Sequence, residues 1–63
     1  MRITFYVIRK DRLYAEWHNP TERWVFVSRD IQEGSFIKHK SDAENISQAM
    51  GGEVIQVTVN VPE

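Results

Sequence analysis

Few side chains in this sequence could do chemistry, and their spacing brings no reactive group together. Cysteine is absent, which excludes thiolate catalysis, disulfide stapling and cysteine-ligated zinc. His18 and His39 are the only histidines. Glu16 and His18 would share one face of a strand, and His18 with Glu22 brackets a turn. Either pair could hold a proton or a metal ion, but neither repeats a ligand spacing. A hydrogen-bonded turn histidine is the expected role of His18, and His39 is expected to face solvent ahead of a helix. Ser28, Ser35, Ser41 and Ser47 form no nucleophile elbow, and Ser41 is better used as a helix cap. Asp30 and Glu33 bracket a small loop without the cleft that a carboxylate pair needs. Gly51 and Gly52 follow the expected helix, whereas phosphate-cradling glycines precede one. The residues therefore predict no enzyme, no catalytic residue, no metal and no cofactor.

The elements that would position these residues are short. Ile3, Phe5 and Val7 alternate with Thr4, Tyr6 and Ile8, which predicts a strand apolar on both faces. Lys10 and Asp11 offer a turn, and "RLYAEW" predicts a second strand with Leu13, Ala15 and Trp17 on one side. "HNPT" breaks the pattern, because Pro20 lacks a ladder donor and Asn19 favours a turn. "ERWVFVS" predicts the third strand. Between Arg29 and Lys40 the pattern is weakest; Phe36 and Ile37 suit a short strand, a hairpin arm or a plug. "KSDAENISQAMGG" predicts a helix capped reciprocally by Ser41 and Glu44. Its apolar stripe is Ala43, Ile46, Ala49 and Met50, and Gly51 ends it. "EVIQVTVNV" predicts the last strand, ended by Pro62.

The order β-β-β-α-β defines a single α+β domain over residues 1–63, with the helix on one sheet face. A meander followed by a returning helix predicts sheet order 3-2-1-4 with the last strand parallel to the first. Pairing beside the third strand by a right-handed crossover is the alternative. Matching apolar sides assigns Ile3, Phe5, Val7, Leu13, Ala15, Trp17, Val25, Val27, Ile55, Val57 and Val59 to the helix. Tyr6, Ile8, Tyr14, Trp24 and Phe26 are then left on the opposite side, with Arg12 and Glu16 among them.

Size and charge narrow the classes further. A chain of 63 residues lies near the lower limit for unaided folding, so each large apolar side chain matters. The net charge is −1, too small for a general polyanion binder. It is unevenly spread: eight bases and five acids in residues 1–40 (8 − 5 = +3), four acids and no Lys or Arg afterwards (−4). No apolar run is long enough to span a membrane, and the alternating N-terminus does not read as a signal peptide, so a cytoplasmic protein is expected.

One helix covers one sheet face, so a second aromatic face needs a partner or a cover. Tyr6, Tyr14, Trp24 and Phe26 are the candidate protein-binding residues, with Arg12 and Arg23 as orienting contacts. Tyrosine and tryptophan supply large contact area at modest entropic cost. The Ile31–Ile37 segment folding back as a lid is the bland alternative, and self-association into a homodimer is another. A single-stranded nucleic-acid binder is the third: aromatics on an open sheet can stack bases, and Arg2, Arg9, Lys10, Arg12, Arg23 and Arg29 could contact phosphates. The chain lacks the aromatic signature of an RNA-recognition module.

In "ITFYVIRK", "LYAEW" and "KSDAENISQAMGGEVIQV" the chain resembles short accessory proteins encoded by phages and prophages. The last stretch is similar to a recurring strand-helix-strand ending in which the helix stops at paired glycines. The resemblance implies a small protein that binds and alters a host or phage protein, in the host cytoplasm, and carries over no catalytic residue.

Overall fold

The computed structural model describes residues 1–62. The elements run β1 (Arg2–Lys10), β2 (Leu13–His18), a 3₁₀ turn (Asn19–Thr21), β3 (Arg23–Ser28), a second 3₁₀ turn (Glu33–Ser35), α1 (Lys40–Met50) and β4 (Glu53–Asn60). The fold is α+β: a meander of three strands, one helix and a final strand that completes the sheet in the order β3-β2-β1-β4. That order matches the expectation, but the direction of β4 does not. β4 is antiparallel to β1, from Arg2 opposite Asn60 to Arg9 opposite Glu53. Residues 29–39 already run back down the sheet, as the antiparallel contact of Ile37 with Tyr6 requires. The helix then returns upward, and β4 must descend.

The β1–β2 turn is centred on Asp11 and Arg12, one residue later than expected, with Lys10 opposite Leu13 and Arg9 opposite Tyr14. Both central residues have positive φ, 52° at Asp11 and 71° at Arg12. A two-residue hairpin of this hand favours Asn or Asp followed by Gly. Asp tolerates the left-handed region, whereas an arginine there costs about 1 kcal/mol relative to glycine. Beyond the turn β1 and β2 part, since only those two residue pairs are in register between them.

The chain's own loop fills the gap. Ile37 exchanges two backbone hydrogen bonds with Tyr6, at 2.8 and 2.9 Å, while Gly34 packs against the Glu16 side chain and the Trp17 carbonyl of β2. The preceding turn is closed by Ser35, whose amide donates to the Gln32 carbonyl (2.9 Å) and whose Oγ accepts from the Gln32 amide (3.1 Å). Ser35 is fully buried. Of the roles open to this segment, a plug in the plane of the sheet is the one realised.

The core forms on the face opposite to the one expected. Ile8, Ala15, Ile37 and Ala43 are its buried centre, and Tyr6, Trp24, Phe26, Ile46, Met50 and Val54 pack around them. The helix thus covers the aromatic side. Tyr6, Ile8, Trp24 and Phe26 do share a face, together with Leu13, Ala15 and Trp17, which are in register with them. The reverse face carries Ile3, Phe5 and Val7 opposite Val59, Val57 and Ile55. The error lay in matching odd-numbered residues across β1, β2 and β3. Loops of an even number of residues pair odd with even positions, and both hairpins have even loops.

The helix begins at Lys40 with His39 as the flanking residue and no side-chain cap, so Ser41 and Glu44 do not form the expected capping box. Glu44 instead lies 4.0 Å from Lys40, an exposed pair one turn apart that contributes only a few tenths of a kcal/mol. The C-terminus ends at Gly51, whose amide donates to the Ser47 carbonyl (2.8 Å). Gly52 has φ +92°, and a Cβ there would meet the Arg9 carbonyl and the Ile8 side chain at 3.0 Å. Only glycine lets the helix end press this closely onto β1.

Removing the Ile37 side chain tests the plug directly. Ile37 is 5% exposed, and truncating a buried isoleucine costs about 2–5 kcal/mol, comparable to the whole stability of a small domain. Ile37→Ala is expected to abolish cooperative urea unfolding followed by circular dichroism. A midpoint equal to wild type would mean that the plug is not structural.

Candidate functional site

The six residues singled out from the sequence do not form one surface. Tyr6, Trp24 and Phe26 are half-buried against the core. Trp24 meets Trp17 edge-on at 5.8 Å, and Phe26 lies beneath the Lys10 ammonium, 6.0 Å from its ring centre. Tyr14 is on the reverse face, where the Arg9 guanidinium stands 5.7 Å from its ring. Arg12 is at the hairpin tip and Arg23 at the opposite end of β3, paired with His18. His18 is a turn histidine, as expected, with Nδ1 2.8 Å from Thr21 Oγ1. Trp17 Nε1 donates to Asn19 Oδ1 (2.9 Å) across the same turn. No group of three or more His, Asp or Glu among the described residues could hold a metal ion. No helix among them is long and apolar enough to cross a membrane.

A different apolar surface is open to solvent. Phe36, the neighbour of the buried Ile37, projects to the reverse face and packs on Phe5 with ring centres 4.3 Å apart. Together with Ile3, Thr4, Lys38 and Val59 these rings line a groove of about 590 Å³. Phe36 is 50% exposed, Ile3 42% and Val59 40%, so all three remain substantially open to solvent. Alternation in β1 and β4 pointed to this apolar stripe, but the sequence reading assigned it to the helix. Phe36 was missed as a member because nothing local says which way a plug residue will point.

The groove adjoins an open sheet edge. Met1 and Val61 exchange hydrogen bonds, with the Val61 amide 2.8 Å from the Met1 carbonyl and the N-terminal amine 3.2 Å from the Val61 carbonyl. Antiparallel ladders alternate, so Val59, Val57 and Ile55 also direct their backbone groups inward to β1. The backbone N–H and C=O groups of Val54, Gln56, Thr58 and Asn60 therefore point outward, on a strand with no neighbour beyond it. The same phase turns Tyr6 toward Ile37 on the other side of β1, as observed. β4 thus offers four donors and four acceptors along an edge carrying neither lysine nor proline within Glu53–Asn60, the usual blocks to strand addition.

Comparison with protein-family models, curated proteins and solved structures returned no match for this chain.

The direction of the β4 amides has a measurable consequence. Thr58→Pro removes a donor that faces away from the sheet, together with the exposed hydroxyl contact of Thr58 with Thr4 (3.2 Å), and is expected to cost about 1 kcal/mol. Val57→Pro removes a ladder bond to Phe5 and is expected to cost about 3 kcal/mol or more. Equal losses in urea titrations of the two variants would contradict the assigned phase.

Proposed function

We propose that this protein is a non-enzymatic binding module that takes up an extended segment of a partner protein along β4, with side chains seated in the Phe5–Phe36 groove. The observation that carries this reading is the adjacency of the half-exposed groove (Ile3, Phe5, Phe36, Val59) to an unpaired strand edge. Edge pairing supplies main-chain hydrogen bonds, and an adjoining pocket supplies specificity through alternate side chains. Lys38 lines the groove and has no ion-pair partner among the described residues, so the favoured segment has alternating apolar residues and a carboxylate. The action of such a module is steric. The likeness to short phage and prophage accessory proteins supports the same reading, since those with roles commonly act by binding a host or phage protein.

The candidate residues change with the proposal. Phe36, Ile3, Phe5, Val59 and Lys38 replace Tyr6, Trp24 and Phe26, whose apolar area is largely spent on the core. A displayed library of random peptides selected against the folded protein should enrich alternating apolar sequences that carry Asp or Glu. Phe36→Ser and Thr58→Pro should each weaken the selected peptides about tenfold or more, as loss of an anchor of roughly 1.4 kcal/mol does. The conservative core change Trp24→Phe should leave them bound. Enrichment insensitive to Phe36 and Thr58 would overturn the proposal. So would a concentration-dependent dimer, abolished by Thr58→Pro, that occupies the edge with a second copy.

A further inference from the structure

At the other end of β1, roughly 20 Å from Ile3 at about 3.3 Å per strand residue, three arginines converge. Arg9, Arg12 and Arg29 line one groove of about 410 Å³ with Asp11 and Leu13. They come from three places in the chain: the end of β1, the hairpin tip, and the residue after β3. The β2–β3 register brings Ser28 beside Tyr14 and so returns Arg29 to the tip. None of the three has a carboxylate within ion-pair distance among the described residues, although Asp11 lies in the same groove. Three cations and one anion leave a local charge of +2 (3 − 1) on a chain whose total is −1. Arg9 is already half-buried and steadied over the Tyr14 ring, which lowers the entropy lost when its fork engages an anion.

The backbone makes a second, independent case. Arg12 occupies a left-handed position, φ 71°, where a two-residue hairpin prefers glycine. Non-glycine positions of this kind are enriched at functional sites, and the inference runs from the observed outlier to a use for its side chain. A glycine would make the better turn and would remove a guanidinium from the groove.

We propose that the Arg9–Arg12–Arg29 groove is a binding site for a phosphate group, held by the forked guanidinium donors at the hairpin tip. Planar forks match phosphate oxygens in pairs, and the tetrahedral group can accept from three directions at once. The site lies apart from the apolar groove of the module and does not depend on it. A small phosphorylated compound and the backbone of a single-stranded nucleic acid present the same chemistry.

The test is a titration of the full chain, at low salt, with inorganic pyrophosphate and separately with a ten-nucleotide oligothymidylate, followed by amide chemical shifts. Shifts are expected at Arg9 to Leu13 and at Arg29. Arg12→Gly and Arg29→Gln should each weaken binding about tenfold, while Arg23→Gln, at the far end of β3, should not. Arg12→Gly should at the same time raise the Tm by roughly 4–8 °C, as relief of about 1 kcal/mol does in a domain this size. Tighter binding of the oligonucleotide, with a log–log salt slope near −2 for about three phosphate contacts, assigns a nucleic-acid backbone. Equal or tighter binding of pyrophosphate assigns a small phosphorylated compound. The proposal is overturned if neither probe binds, or if Arg23→Gln weakens binding as much as Arg12→Gly and Arg29→Gln do.

Discussion

Two hydrogen bonds between Tyr6 and Ile37 hold the centre of this sheet together. Because β1 and β2 stay in register over only two pairs, the backbone of Tyr6 would otherwise face a gap. A buried amide or carbonyl without a partner costs about 1–3 kcal/mol. The loop before the helix supplies that partner and sends one side chain to each face. Ile37 completes the core beneath the helix, and Phe36 completes the groove on the reverse side. Core and groove are therefore two consequences of one in-plane insertion.

The same insertion explains how a chain this short manages a two-faced sheet. The helix brings Ala43, Ile46 and Met50 onto the Ile8–Ala15 side, and Gly52 lets its end approach β1 to van der Waals contact. Nothing comparable is available for the reverse face. Val7 is buried there, but Ile3, Phe36 and Val59 remain substantially open. Apolar area left in water contributes nothing to folding, at roughly 25 cal/mol per Å² forgone. Its position next to an unpaired edge is the ground for the proposed partner segment.

The two proposed sites sit at opposite ends of β1 and draw on different physics. The apolar groove relies chiefly on area and on the backbone groups of β4, with a single charge at Lys38. The arginine groove relies on unpaired charge, which ionic strength weakens directly. A single protein can thus carry a sequence-tolerant electrostatic contact and a shape-dependent one without either constraining the other.

Local pattern determined the elements: alternation marked all four strands, the spacing of Ala43, Ile46, Ala49 and Met50 marked the helix although Ala49 is exposed, and paired glycines marked its end. The lack of cysteine was equally readable, because composition needs no coordinates. The sequence also identified both apolar stripes, one ending in Tyr6 and Ile8 and the other in Phe5 and Val7. Which stripe the helix covers depended on something it does not display locally. Face membership passes from strand to strand through the parity of each loop, and a loop longer or shorter by one residue exchanges the faces of everything beyond it. The direction of β4 and the outward turn of Phe36 were likewise set by where residues 29–39 lie, a long-range contact with Tyr6 that no short window contains. Tertiary structure alone therefore decided that the aromatic side is the core and that the valine-rich side is the one left partly open to solvent.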